Sequence, residues 1–387
     1  MNQNMTAVWR RSVSTFPLAD TSGFSCRAIP QLPPGEYERF VKAWRLLGTG
    51  EILALTKDGD MPLSGAGVCE ALLARSWEAR FHSPERMLRL ASAAQEVSAG
   101  LKTRDMGKAG VAVMQARAWG ELGNAFRVAG NAEGADTAFE EAFDREPELH
   151  DPFLSAHLLH LRATLYGRQG DPAFAAQLLE MVGRFYEDAD EPHLSGRTRI
   201  THSIYAARAG RHEAALQLSD EGLARIDRAR EPSLLMTALH NRLLLLLSLG
   251  RKEEARSTLA LCGGFDAAGP VAMRLRWMEG RILHTLGELE AAECALRQSR
   301  DGLSSLGLQL FTAVASLDLA ATLLHQNRLH DAQIEALAAQ KLFLGLENRE
   351  DYFAVLLVLE AAFNSGGVTA EMVERSLAYL RGRETGS

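Results

Sequence analysis

From residue 68 onward, apolar residues recur at the three- and four-residue spacing of an amphipathic α-helix, with short breaks at regular intervals. The stretch 118–147 shows the unit most clearly: one apolar stripe, a break at Gly130, and a second apolar stripe that ends at Pro147. Two such stripes predict two antiparallel helices that leave one apolar surface for a further hairpin to cover. The first stripe consists of Trp119, Leu122 and Phe126, and the second of Ala135, Phe139 and Ala142.

The break recurs five more times, at intervals of 37 or 40 residues. Gly or Asn occupies each break, and these two residues adopt positive φ most readily at the C-terminus of a helix. An alanine stands five residues after every break, where a small side chain lets two helices come close. The pattern therefore predicts six helical hairpins. The breaks are Gly130, Gly170, Gly210, Gly250, Gly287 and Asn327, and the alanines are Ala135, Ala175, Ala215, Ala255, Ala292 and Ala332.

The unit around Gly130 resembles the tetratricopeptide repeat, whose signature W-x2-L-G-x2-Y is followed by Ala, Phe and Pro at fixed offsets. Every signature position is filled, with Phe126 where Tyr is usual and with Gly123 where the partner helix must come close. The period is longer than the consensus of about 34 residues, and only this unit fills the whole signature. The resemblance covers residues 68–365 and implies an all-α, right-handed superhelical solenoid of tetratricopeptide-like hairpins.

The two ends of the chain differ from the repeats. Proline-rich residues 1–34 predict an irregular N-terminal arm, and residues 35–67 an N-terminal helix and a connector. The helix covers 36–47 and has one apolar face, which either is exposed and permits self-association or lies in the groove of its own chain. Residues 68–101 predict an opening hairpin with Ser83 as an N-cap. A closing hairpin is expected at 351–363 and 369–380, so residues 366–387 form a C-terminal capping helix and tail.

Composition narrows the class of protein. The chain has 387 residues, 47% hydrophobic and 24% charged, with a net charge of −7, which is typical of a folded, soluble protein. The net negative charge argues against direct binding to nucleic acid or to an anionic membrane. The sequence has no secretion signal and no apolar run that could span a bilayer, so we expect a cytoplasmic protein. The four cysteines are scattered without C-x-x-C spacing, which favours reduced, buried thiols.

The sequence contains no catalytic motif. Phosphate-binding, dinucleotide-binding, zinc-protease and serine-hydrolase signatures are all absent, so no enzyme, cofactor or metal is predicted. His157 and His160 have the spacing of two metal ligands on one helix, but no carboxylate or cysteine accompanies them on that helix. We interpret them as part of a binding surface.

In tetratricopeptide arrays the first helix of each hairpin lines the concave surface. Carried over to this chain, the resemblance implies a groove rich in arginine, with no carboxylate at the carried-over positions. Such a groove would attract an acidic segment or a C-terminal carboxylate, because guanidinium groups fit carboxylates. The alternative is that these arginines pair with acids of the same chain. The implied groove residues are Arg117, Asn124, Arg127, His157, His160, Arg168, Arg197, Arg208, Arg274, Trp277, Arg281 and His284.

The resemblance implies a non-catalytic scaffold or adaptor that binds another protein or peptide. A second reading is a regulatory subunit that senses a peptide or small ligand and switches a partner effector, such as a transcription factor or a peptidase; bacterial arrays of this kind often sit beside such modules. The carboxylate clamp of cochaperone domains is largely missing. Asn124 matches one position of the clamp, but Gly120 stands where Lys is needed and Leu161 where Asn is needed.

Overall fold

The architecture was determined from a computed structural model, which describes residues 32, 34–49, 64–80, 83–145, 151–228, 230–262, 269–344 and 372–373. These residues form fifteen long α-helices and contain no strand, as the apolar spacing predicts. The helices are α1 (Pro34–Thr49), α2 (Ala66–Ala79), α3 (Pro84–Ala99), α4 (Thr103–Val128), α5 (Ala132–Arg145), α6 (Pro152–Arg168), α7 (Pro172–Asp188), α8 (Pro192–Arg208), α9 (His212–Arg225), α10 (Pro232–Ser248), α11 (Lys252–Cys262), α12 (Pro270–Leu286), α13 (Leu289–Ser305), α14 (Gln309–His325) and α15 (Leu329–Leu344).

The helices divide into two compact units. The first unit contains residues 1–209 and 224–232, and the second contains residues 210–223 and 233–387. In the first unit each helix from α1 to α8 packs against the next, and in the second unit the same holds from α11 to α15. Nearest-neighbour packing of this kind is how repeat proteins build a core without long-range strand pairing.

A second set of contacts joins alternate helices. In the first unit α2 contacts α4, α4 contacts α6, and α6 contacts α8, while in the second unit α12 contacts α14. The first helices of successive hairpins therefore form one layer, and the second helices form the other. We call the surface formed by α2, α4, α6 and α8 the inner face of the first unit.

The turns have the conformation that their residues predict. All six have positive φ, between 62° at Asn327 and 102° at Gly170. The alanine five residues after each turn is completely buried, with 0% of its surface exposed in all six cases. The predictions of the turn residues and of the close helix approaches are both confirmed.

Gly123 shows why the signature contains a glycine. A Cβ at this position would lie 2.9 Å from the ring of Phe139 on α5, which is itself fully buried. The missing side chain lets α4 and α5 pack closely, as the sequence predicts. The opening hairpin is also confirmed: Ser83 caps α3 by accepting a hydrogen bond from the backbone N–H of Arg86 at 3.3 Å, and Pro84 occupies the first helical position.

Helix α1 closes one end of the first unit. Its buried residues Phe40 and Leu47 share a hydrophobic cluster with α2, and the carboxylate of Glu36 accepts a hydrogen bond from the backbone N–H of Gly67 at 2.8 Å. The helix packs on α2 as α3 packs on α4, so it takes the place of the second helix of a preceding hairpin. The hypothesis that it lies in the groove of its own chain is wrong, because its apolar side is already used to cover α2.

Parts of the predicted ends lie outside the described residues. This applies to the N-terminal arm except Leu32 and Pro34, and to the closing hairpin except residues 372–373. These two residues are helical, and Val373 is buried in a cluster with apolar residues of α14 and α15. Among the helices that the structure describes, none is both long enough and apolar enough to cross a membrane.

Candidate functional site

Trp77, in the last turn of α2, is in contact with charged side chains from the end of α2 and from α8. The guanidinium of Arg80 stacks on its ring at 4.0 Å, and the guanidinium of Arg197, from α8, stacks at 4.6 Å. The ring of His157, from α6, lies 6.0 Å away. Both Trp77 and Arg197 are buried. We call Trp77, Arg80 and Arg197 the tryptophan cluster; two desolvated cations on one indole attract negative charge strongly.

A carboxylate from the segment that follows α9 completes the arrangement. Glu231 Oε1 is ion-paired with Arg80 Nη2, and Glu231 Oε2 lies 3.5 Å from His193 Nε2. Burial alone would raise the pKa of Glu231, but the interaction with His193 and the charges of Arg197 and Arg80 outweigh it and lower the pKa to about 2. Glu231 is therefore ionised at neutral pH and neutralises part of the cluster.

A second ion pair neutralises Arg117. This predicted groove residue is 1% exposed and is bound through both terminal nitrogens to the carboxylate of Glu70 on α2, with Nη2 2.9 Å from Oε2. The carried-over positions hold no carboxylate, but acids from other positions reach this face. Those in the first unit are Glu70, Glu121 and Glu231.

Asn124 and Arg127 belong to a buried network on α4. Arg127 Nη2 donates to Asn124 Oδ1 at 2.8 Å, and Ser76 Oγ donates to Glu121 Oε1 at 2.7 Å. Burial raises the pKa of Glu121 to about 7, against the opposing effect of its hydrogen bonds from Ser76 and Asn124. Asn124 is 1% exposed and its amide nitrogen donates to Glu121 Oε2 at 3.4 Å, so it does not form one arm of a carboxylate clamp.

Arg168 and Arg208 connect successive first helices. Arg168 Nη1 donates to the backbone oxygen of Arg127 at 2.7 Å, and Arg208 Nη1 donates to the backbone oxygen of Gly167 at 3.2 Å. In both cases the acceptor lies in the last turn of the preceding first helix, where free carbonyl groups and the helix dipole favour a cation. These two predicted groove residues therefore stabilise the stacking of the repeats.

His157 and His160 add no positive charge at neutral pH. Burial and the charge of Arg197 lower the pKa of His157 to about 3 and also lower the pKa of His160. The ring nitrogens of His160 lie 3.2 Å from Thr198 Oγ1 and 3.3 Å from Thr201 Oγ1, on α8. Within the described ranges, no three His, Cys, Asp or Glu side chains are grouped in a way that could hold a metal ion.

In the second unit, Trp277 and Arg281 share one carboxylate. The indole N–H of Trp277, on α12, donates to Asp318 Oδ2 on α14 at 2.7 Å, and Arg281 Nε lies 3.8 Å from the same oxygen. All three residues are less than a tenth exposed. This network joins two successive first helices, as Arg168 and Arg208 do in the first unit.

The other two predicted residues of the second unit also contact the next first helix. His284 Nδ1 lies 3.0 Å from Thr322 Oγ1, and the guanidinium of Arg274 stacks on the ring of Phe311 at 4.3 Å. Burial lowers the pKa of Arg274. The four predicted residues of this unit therefore line α12 and are occupied by contacts to α14.

Sequence reasoning missed the residues around which the first unit's site is built. Trp77 and Arg80 lie in the opening hairpin, which lacks the repeat signature, and Glu231 lies in a segment between helices, so no aligned position pointed to them. One signal was available for the other missed acids. Glu121 and Asp318 each stand nine residues before a turn glycine or asparagine, next to a carried-over position.

Comparisons with known proteins show what this architecture is similar to. No family model matches the sequence, and no curated protein matches it. The apo form of RapI superimposes with a TM-score of 0.56 at 10% identity, covering 82% of this chain and 87% of that chain. NprR, solved in complex with its cognate peptide NprX, superimposes with a TM-score of 0.52 at 12% identity, covering 90% of this chain and 97% of that chain.

The chain has a tetratricopeptide-like helical-repeat fold. The prediction of an all-α solenoid of tetratricopeptide-like hairpins is confirmed. At these levels of identity the likeness concerns the fold, so function has to be argued from the residues of this chain.

Proposed function

We propose that this chain is a non-catalytic regulatory protein that binds a peptide on the inner face of its first unit. The peptide carries an acidic group, which is either an Asp or Glu side chain or its own C-terminal carboxylate. This group binds at the tryptophan cluster, and the remaining residues of the peptide run along α4, α6 and α8. The protein acts as an adaptor in the cytoplasm and requires no cofactor, metal, nucleic acid or membrane.

The observation that carries the proposal is the pair of guanidinium groups, Arg80 and Arg197, beside one buried indole. Arg80 directly follows α2 and Arg197 lies on α8, yet both stack on Trp77. Charged hydrogen bonds are strongest where water is excluded, and an indole offers apolar contact beside them. A carboxylate next to an apolar side chain is the peptide feature that fits. The same fold in NprR is seen with a peptide bound, which supports a peptide as the class of ligand.

Binding of a peptide library tests the proposal. Fluorescein-labelled random heptapeptides are selected on the intact chain, and the best binders are measured by fluorescence anisotropy. We expect acidic sequences to be enriched, and we expect Arg197→Gln to weaken their binding at least about tenfold through loss of one charge-assisted contact. The matched control is Arg184→Gln, because Arg184 lies on α7 in the other layer and its side chain is 72% exposed.

The control should bind like the intact chain. Equal binding by Arg197→Gln and the intact chain, with both variants folded by circular dichroism, would place the peptide elsewhere. Failure of every peptide to bind the intact chain would reject the peptide-binding function itself.

The second candidate is a sensor that switches a partner effector such as a transcription factor or a peptidase. The observation that favours it is the contact between Glu231 and Arg80, because a ligand at the tryptophan cluster would change how the segment 226–231 is held. Affinity capture from the native host, with and without the selected peptide, tests this candidate. A partner whose capture depends on the peptide supports it; the same partners under both conditions favour a simple adaptor.

A further inference from the structure

Glu231 is held on the inner face by two elements of the first unit, the end of α2 and the start of α8. Arg80, directly after α2, pairs with Oε1, and His193, at the start of α8, faces Oε2. The backbone N–H of Asp227 donates to His193 Nδ1 at 3.1 Å, so a neutral His193 carries its proton on Nε2 and directs it toward the carboxylate. The carboxylate is therefore bound as an external anionic ligand would be bound.

The positive and negative charges around Trp77 match a site that holds one carboxylate. Arg80 and Arg197 supply two positive charges on the faces of Trp77, and Glu231 supplies one negative charge. The side chains of Arg80 and Glu231 are only 13% and 7% exposed. Removing Glu231 without replacement would leave two buried cations beside each other, which is costly. A monoanionic group that entered the site would restore the balance that Glu231 now provides.

We propose that Glu231 is an internal occupant of the acidic subsite, and that the carboxylate of a bound peptide displaces it. This inference rests on the proposed function and states how the peptide site is regulated. Glu231 acts as a tethered competitor, with an effective concentration set by its short connections to α9 and α10. The apparent affinity for a peptide is then the intrinsic affinity reduced by the small fraction of molecules in which the site is free.

Removal of the charge of Glu231 should increase peptide affinity. Glu231→Gln keeps the shape of the side chain and weakens its hold on Arg80 and Arg197. The probes are the labelled heptapeptide selected on the intact chain and a matched peptide with Gln in place of its acidic residue and an amidated C-terminus. We expect Glu231→Gln to bind the acidic probe at least about tenfold more tightly than the intact chain does, with little change for the neutral probe.

Two further variants make the comparison decisive. Glu180→Gln removes a carboxylate that is 52% exposed on α7, and it should change neither affinity. Glu231→Asp keeps the charge on a side chain shorter by one methylene, so it should give an intermediate affinity; it also serves if the glutamine variant does not fold. Limited trypsin digestion detects movement of the segment that contains Glu231. Arg228 is exposed in this segment, so cleavage after it should increase when the acidic probe saturates the intact chain.

The possible outcomes separate this inference from the function on which it rests. If the intact chain binds the acidic probe but Glu231→Gln binds it equally or more weakly, Glu231 is a fixed structural residue and the inference is overturned while the peptide site stands. If cleavage after Arg228 is unchanged by the probe, displacement of the segment is overturned. If the intact chain and all variants bind neither probe, the proposed function fails and the inference fails with it.

Discussion

Arg208 donates a hydrogen bond from Nη1 to the backbone oxygen of Gly167, in the last turn of the first helix one repeat earlier. Tyr205 packs beside the same glycine, where a Cβ would lie 2.0 Å from its ring, and its hydroxyl donates to the backbone oxygen of Thr164 at 3.0 Å. Arg168 makes the equivalent contact to Arg127. Arginines near the ends of first helices thus satisfy carbonyl groups that a helix leaves unpaired, and they fix the spacing of the repeats.

Replacing Arg208 tests this stacking role. Arg208→Met keeps an apolar stem against Tyr205 but removes the donor to Gly167, so we expect a loss of about 1–2 kcal/mol in the free energy of unfolding. Urea denaturation followed by circular dichroism measures it. Arg184→Met removes a guanidinium whose side chain is 72% exposed and should cost far less. Equal losses in the two variants would show that the contact to Gly167 adds nothing.

The approach of α1 to α2 depends on Gly67. A Cβ there would lie 1.9 Å from the backbone oxygen of Glu36, and backbone atoms cannot move aside as a flexible side chain can. Gly67→Ala should therefore push α1 away from α2 and cost about 1–3 kcal/mol. The thermal midpoint and the hydrogen exchange of α1 amides measure this. Gly35→Ala is the control, because no atom lies within 4 Å of its Cβ position; comparable effects of both changes would contradict the explanation.

The buried alanines should not tolerate charge. Ala135 has no exposed surface at the crossing of α5 and its neighbours, so Ala135→Arg forces a large cation into a packed interface. We expect a loss of several kcal/mol, about 3 or more, and locally increased proteolysis. Ala132→Arg places the same residue on the exposed side of the first turn of the same helix and should be tolerated. An unchanged melting curve for Ala135→Arg would refute the proposed helix crossing.

Glu121 should make the protein less stable at higher pH. Its pKa is raised by burial from 4.5 to about 7, so its favourable contribution is complete below pH 4.5 and is lost as the pH rises through 7. Glu121→Gln keeps the hydrogen bond from Ser76 and cannot ionise. Relative to the intact chain, the variant should gain up to about 3 kcal/mol between about pH 4.5 and pH 8.

Thermal midpoints at several pH values check this prediction. The control is Glu140→Gln, since Glu140 is exposed on α5 and its replacement should leave the pH profile unchanged. A difference between Glu121→Gln and the intact chain that does not vary with pH would mean that Glu121 does not titrate in this range.

The repeat architecture could be predicted because it depends on the spacing of residues that lie close together in the sequence. The glycine and asparagine turns, the alanine after each turn and Gly123 act within one hairpin, where φ angles and side-chain volume decide the structure. The site could not be predicted in the same way. Arg80 and Glu231 form an ion pair although they are 151 residues apart in the sequence. This contact depends on how several successive hairpins pack, and the sequence of one hairpin does not determine that packing.

The sequence also did not show which of the predicted residues are neutralised by a partner or uncharged. Arg117 is neutralised by Glu70, and His157 is uncharged because burial lowers its pKa to about 3. Of the eight predicted residues in the first unit, Arg197 is the one that lies in the tryptophan cluster. The pattern of arginines at groove positions therefore did not show which of these arginines are neutralised or bound to neighbouring helices.

Mapping the position of a bound peptide tests the account most directly. A selected heptapeptide with a photoreactive benzophenone next to its acidic residue is cross-linked to the intact chain, and the attached residues are identified by mass spectrometry. We expect cross-links to α2, α6 and α8 around Trp77, His157 and Arg197. Cross-links confined to α3, α5 and α7, or to the second unit, would contradict it.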